Sequence, residues 1–265
     1  MKRSVQPATL IALGVLSVLL ILALADLGFF ESGRMTKGFR NVGIFARDLV
    51  PPDLDPALLR TLVVSLAETV EMAFAGTLLG AAAGLPLSVL AARPLSGAGV
   101  ARVTRVLLAF VRTVPSLLWA LVFVILFGLG PVAGVLGIAV YTLGYIGKLY
   151  YEAFEGLDPD VLEAVRATGA GRVQLVRHAA LPEAANALVS NLLYAFEYNV
   201  RASSILGFVG AGGIGFYLLR YLQLFEYQRL TTAILMLLVL VVGIDAASRR
   251  FRKRFVLHPA AGFDG

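Results

Sequence analysis

The sequence predicts an all-α integral membrane protein with six transmembrane helices, on three observations. Of 265 residues, 58% are hydrophobic and 15% charged, and the mean hydropathy is +0.83; soluble domains run about 45–50% apolar and about 25% charged. So little polar surface argues against a soluble enzyme, a disordered tail and a secreted scaffold. The apolar residues fall in runs near the ~20 that a crossing helix needs. Finally, Lys and Arg gather at alternate ends of those runs, so the net charge of +6 reads as topology rather than nucleic-acid binding. Cysteine is absent, which removes disulfides, thiolate metal sites and cysteine nucleophiles together.

The first run, Ala8 to Ala25, follows Lys2 and Arg3 and meets no charge before Asp26. It predicts an accessory first helix over 8–26. Ala23-Leu24-Ala25 has the form of a signal-cleavage site. The run is long for a signal and membrane segments follow it, so the expectation is an uncleaved helix. Residues 31–60 contain Pro51, Pro52 and Pro56 and predict a loop with one short helix.

The second span runs from Leu62 to Leu90. Gly76, Gly80 and Gly84 share one face of it and predict close packing of another helix within the fold. The third span, Val106 to Phe127, is interrupted by Arg112 and Pro115, and the fourth, Val132 to Gly147, closes at Lys148. A polar stretch from 150 to 183 cannot cross. The fifth span starts at Pro182 and ends near Leu206, before a glycine-rich stretch. The sixth, Leu230 to Ala247, is closed by Arg249, Arg250, Arg252, Lys253 and Arg254. With the N-terminus inside, fourteen of the 23 Lys and Arg lie on the inner side and seven on the outer. Both termini are therefore expected to be cytoplasmic. The five basic residues between the first two spans run against that rule.

Asp158-Pro159-Asp160 is a strong helix start: an Asp cap, a proline at the first position and an acid at the positive end of the dipole. The helix should stop near Gly169, a second should run from Arg172 to Ala180, and Leu181-Pro182 should reset the chain. This insertion is too short for a catalytic domain. It is shaped as a knob for a partner protein.

Here the residues carry a resemblance. Glu163-Ala164-Val165, three residues, Gly169, nine residues, Ala179, one residue and Leu181-Pro182 resemble the EAA loop of ABC importer permeases. That family's pattern is E-A-A, three residues, G, nine residues, I, one residue, L-P, so Val165 and Ala179 depart from it. The stretches Val111 to Ala120, Phe127 to Pro131, Gly147 to Glu152 and Arg201 to Gly215 resemble the phosphonate branch, over about residues 60–250. The methionine branch shares the glycine run more loosely.

The resemblance implies a type I importer permease: one transmembrane domain over 1–265, a five-helix core at 60–250, and a coupling loop at 150–183. It implies that Glu163 to Gly169 docks in a groove of an ATPase subunit and transmits its closure. The implied partners are a second permease (identical, or a close paralogue), two ATPase subunits and a periplasmic or lipid-anchored binding protein. Membrane lipid surrounds the assembly, in the bacterial cytoplasmic (inner) membrane. The implied cargo is phosphonate or a related phosphorus oxyanion such as phosphate or phosphite, moved by alternating access. A permease for methionine or another small solute is the alternative. An ion-gradient-driven transporter is the rival of another class, and would show internal repeats and no docking loop. A membrane enzyme acting on lipid head groups would need clustered Asp or His near a span end.

No cofactor is expected on this chain; ATP and Mg belong to the ATPase. No lysine precedes Ser or Thr, so a Walker A loop is absent. Gly210, Gly212 and Gly215 match a dinucleotide fingerprint, but a membrane helix precedes them rather than a strand. Gly210, Gly212 and Gly213 instead predict tight, non-helical backbone near the outer end of the path. His178 and His258 stand far apart in sequence and suggest neither triad nor metal site.

Glu68, Glu71, Arg112, Glu197 and Arg201 fall inside predicted spans, where an ionisable group costs about 3 kcal/mol or more unless it faces protein or water. Two readings stay open. In one, Glu197 pairs with Arg201 at i,i+4, and Glu68, Glu71 and Glu197 serve as counter-charges. In the other, Arg112 and Arg201 offer forked donors to an oxyanion, with hydroxyls from Ser203 and Ser204.

Overall fold

The computed structural model describes residues 7–30 and 33–255, with side chains of 10–30, 33, 35–254. Lys2, Arg3 and His258 lie outside the described residues. The chain divides into two compact units at Pro51 and Pro52. The first holds α1 (Pro7–Asp26), an apolar helix, and α2 (Arg34–Asp48), an amphipathic basic one that fills the loop expected there.

The second unit opens with α3 (Pro56–Ala91). Asp55 caps it by accepting from the Leu58 amide at 3.2 Å, and Pro56 occupies the first turn. At 36 residues it is six longer at its start than Leu62 suggests. Its length is about 54 Å at 1.5 Å per residue, well beyond a ~30 Å hydrocarbon core. Next come α4 (Arg93–Ser96), α5 (Ala98–Thr113) and α6 (Ser116–Phe127). The predicted third span is thus two helices meeting at 80°. Pro115 supplies no N–H and pushes Val114 into extended backbone, at φ −83° and ψ 119°.

The fourth span, α7 (Pro131–Glu155), does not end at Lys148 but runs seven residues further. It is the centre of the unit. A Cβ on Gly80 would lie 2.6 Å from the Ala139 carbonyl, and one on Gly76 2.6 Å from Ile138. On its other side, a Cβ on Gly137 would meet Ala120 at 2.7 Å, and one on Gly144 the Arg112 amide nitrogen at 2.9 Å. Glycines on both helices therefore let α3, α7 and the α5–α6 pair approach backbone to backbone. Asn199 joins the same core by donating to Thr77 and Thr142, each at 2.8 Å.

The inserted segment holds α8 (Pro159–Ala167) and α9 (Arg172–Leu175). The reset at Leu181-Pro182 is not what the structure shows. Residues 176–180 form a wider, π-type turn that runs without a break into α10 (Leu181–Leu206). Pro182 lacks an amide and crowds the preceding turn; widening that turn accommodates it without ending the helix. After a tight turn at Gly207–Val209 and a glycine loop come α11 (Ile214–Gln223), which the sequence did not announce, and α12 (Tyr227–Phe255).

Among the described residues, α3, α7 and α12 are long and apolar enough to cross a membrane. Counting each bent pair, α5 with α6 and 172–209 with 214–223, as one span gives up to five; α1 is a shorter apolar helix over Leu10–Asp26.

Candidate functional site

The segment between α7 and α10 is built as its residues dictate. Asp158 accepts from the Asp160 amide at 3.0 Å, and α8 stops where Gly169 turns left-handed at φ +83°. Gln174 then closes the start of α9 by accepting from the Gly171 amide at 2.8 Å. Leu162 and Leu175 are buried beneath the segment, against Tyr150 and Phe154 of α7 and Ala179 and Ala180 of the wide turn. Glu163, Ala164, Gly169 and Pro182 are exposed; Val165 and Leu181 are half-buried. The motif therefore exposes Glu163, Ala164, Gly169 and Pro182 over an apolar anchor. Val165, Thr168, Gly169, Gln174 and His178 surround an open recess of about 440 Å³.

Two contacts tie this segment to α4 and α5. The Arg166 guanidinium donates to the Pro94 carbonyl, and Arg105 pairs with Glu155 at the end of α7 while lying 4.5 Å over the Tyr151 ring. The other end of α5 is the break at Val114 and Pro115. There, Arg112, Ser116, Tyr141, Tyr198, Arg201 and Ile205 border an open recess of about 490 Å³. Tyr141, Tyr145 and Tyr198 stack beside it, with centroids 5.8–6.1 Å apart.

The structure brings Arg112 and Arg201 to one recess but overturns the expected Glu197–Arg201 pair. Arg201 bonds Asp245 of α12 at 3.0 Å, and Glu197 bonds Arg252 at 2.6 Å. Glu197 and Arg252 are buried, and Arg252 also lies 4.0 Å over the Tyr194 ring. Side chains four apart on a helix reach different heights of the antiparallel neighbour, so each finds a better partner there. Glu197 is a counter-charge, but to Arg252. Glu68 is half-buried and Glu71 exposed on α3, and neither makes an ion pair with a described residue.

Ser203 and Ser204, expected as donors on the path, are buried and donate back to the carbonyls of Asn199 and Arg201. A hydroxyl three or four residues along a helix finds that carbonyl more readily than a ligand. The glycine loop is non-helical as expected, with Gly210, Gly212 and Gly213 at φ +84°, +85° and +68°. It is held by protein on two sides: Gly130 donates to the Gly210 carbonyl at 2.9 Å, and Ile214 donates to Thr69 of α3 at 2.9 Å.

Sequence reasoning missed Asp245, although an acid inside a predicted span is itself a signal. It also missed Arg105, Glu155 and Ser116, whose roles depend on which helices meet.

The fold is a helical bundle with membrane-length apolar helices, an exposed, capped handle and a recess bordered by two arginines. Residues 84–256 match the family described as "Binding-protein-dependent transport system inner membrane component", and the chain belongs to that family. It is an ABC importer permease, a multi-pass inner-membrane subunit rather than a catalytic one, and works with ATPase and binding-protein partners.

The chain is 35% identical over 237 residues to the phosphite transport system permease protein PtxC of Stutzerimonas stutzeri, covering 89% of this chain and 85% of that protein. It is 37% identical over 219 residues to the phosphate-import permease protein PhnE of Mycolicibacterium smegmatis, covering 82% of this chain and 41% of that one. Among solved structures it resembles a chain of the methionine ABC transporter MetNI in an inward-facing conformation, at TM-score 0.68 and 27% identity, covering 76% of this chain and 99% of that one.

Proposed function

We propose that this permease moves a phosphorus oxyanion, namely phosphonate, phosphate or phosphite, across the inner membrane by alternating access. The observation that carries the reading is the continuous similarity to a phosphite permease along 89% of the chain. The recess at the α5–α6 break supports it, because it gathers two guanidiniums, the side chains best matched to such oxygens. A methionine permease is the second reading, favoured by the likeness to MetNI.

In the proposed assembly, two permeases, identical or paralogous, sit over two ATPase subunits that bind ATP and Mg, and a periplasmic or lipid-anchored protein delivers the cargo. The chain has six spans with α1 as the accessory one, and both termini are cytoplasmic. Glu163, Ala164, Val165 and Gly169 dock to the ATPase, while Leu181 and Pro182 carry the movement into α10. The contacts of Arg105 and Arg166 carry it to α5 and so to the recess. Arg112 and Arg201 face the path. Gly210, Gly212 and Gly213 form its outer closure, stiffened by Thr69, and Ser203 and Ser204 brace the last turns of α10 by bonding back to Asn199 and Arg201. Glu68 and Glu71 are turned from the anion.

The test is ATPase stimulation of the reconstituted complex by binding protein loaded with phosphonate, phosphate, phosphite or methionine. At least one oxyanion should stimulate. Stimulation by methionine alone would overturn the substrate reading, and a Glu163→Arg permease that still co-purifies with its ATPase would overturn the docking role.

A further inference from the structure

The two arginines at the recess are not equivalent. Arg201 already has a carboxylate, Asp245, at 3.0 Å. Arg112 has no carboxylate partner among the described residues and is half-buried in the last turn of α5. The C-terminal carbonyls of α5 favour a cation there, but a few partial charges do not neutralise a guanidinium inside a bundle.

The next helix supplies more donors at the same place. α6 begins at Ser116, and its first two amides, of Ser116 and Leu117, donate to no acceptor among the described residues; the first bonded amide is that of Leu118, to Pro115. Ser116 itself is 8% exposed, borders the recess, and its hydroxyl makes no hydrogen bond with a described residue. Among the described residues no buried side-chain polar atom is left without a partner, so the Ser116 hydroxyl opens onto the recess and is free to donate to a ligand there. Nearby hydroxyls are committed: Thr113 donates to the Ala109 carbonyl at 2.8 Å.

We infer that the Arg112 fork, the Ser116 hydroxyl and the open amides of α6 form the seat of the transported oxyanion, with the Arg201–Asp245 pair as its neutral wall. The inference rests on the permease reading above. The chemistry fits a tetrahedral phosphorus oxyanion: a forked cation binds two oxygens, and a helix N-terminus with its hydroxyl binds a third. The seat lies at the 80° break at the end of α5, the helix the coupling segment contacts. A shift of α5 against α6 would part the guanidinium from the amides and loosen the anion at the moment of coupling.

The experiment measures binding of radiolabelled inorganic phosphate, with phosphite and methylphosphonate as competitors, to the whole permease–ATPase complex in nanodiscs. Uptake into proteoliposomes with loaded binding protein is measured in parallel. Arg112→Gln should weaken binding about tenfold or more and Ser116→Ala severalfold. Arg112→Lys should recover part of the loss, because it restores charge without the fork. Arg201→Gln made together with Asp245→Asn, so that no unpaired carboxylate is left at the wall, should weaken binding about threefold, less than Arg112→Gln. Co-elution of permease and ATPase on size exclusion, unchanged in each variant, shows that the complex is assembled.

Wild-type binding and uptake in Arg112→Gln would overturn the seat, while oxyanion uptake by the unaltered complex keeps the permease reading standing. Loss of binding in the Arg201→Gln, Asp245→Asn double variant but not in Arg112→Gln would likewise overturn it. Failure of the unaltered complex to take up any of the three oxyanions would overturn both.

Discussion

Two helix seams in this permease are held by opposite means. Between α3 and α7, glycines bring backbones together, and Gly80 leaves no space for even a methyl group beside the Ala139 carbonyl. Between α10 and α12, long charged side chains span the gap, pairing Arg201 with Asp245 and Glu197 with Arg252. The first seam is fixed by shape, since close packing is lost with any displacement. The second is fixed by charge, and Glu197 and Arg201 also lie at the spacing that lets them pair with each other.

The largest effect should come from filling the glycine seam. Gly80→Leu forces side-chain atoms into the α7 backbone, where overpacking costs about 1–3 kcal/mol or more. The variant should give little monodisperse permease on size exclusion. Gly99→Leu, where a Cβ meets nothing within 4 Å, should behave as the parent. Equal yields from the two would show that shape does not fix the α3–α7 seam.

Next is the buried pair. Arg252→Ala leaves Glu197 charged and unpartnered, a loss of about 3–5 kcal/mol. The double variant Glu197→Leu with Arg252→Leu removes both charges and should recover most of that in thermal unfolding in detergent. A double variant as unstable as the single one would mean that packing, not charge, holds this seam.

The smallest effect concerns the loop before α3. The Asp55 amide and then the Arg229 guanidinium hold the Asp53 carboxyl below the usual carboxylate range. A depressed folded value means that the unfolded chain binds the proton more readily, so stability rises with pH. The contribution should be complete at neutral pH and fade only below about pH 4. Asp53→Asn should flatten the acid limb of the melting curve slightly. An unchanged acid limb would show that the Asp53–Arg229 contact does not join α3 to α12 in solution.

Much of the fold is written locally. The Asp158 cap, Pro159 and Gly169 mark the coupling helix because capping, proline geometry and left-handed backbone each act within a few residues. Gly76, Gly80 and Gly84 likewise mark a packing face. The reset at Pro182 was misread because a proline's effect depends on whether the preceding turn can widen, which composition does not reveal. The lengths of α3 and α7 were underestimated because helices do not end where hydropathy falls. Capping ends them.

The site was legible only in part. Sequence alone determined the membrane class and the capped helix at Asp158 to Gly169, since burial preference and capping are properties of a residue and its near neighbours. It could not assign partners. Which arginine is neutralised depends on Asp245, 44 positions from Arg201, and Ser116 gains meaning only where α6 turns away from α5. Coulomb energy and hydrogen bonding depend on distance in space, and between separate helices only the tertiary packing sets that distance.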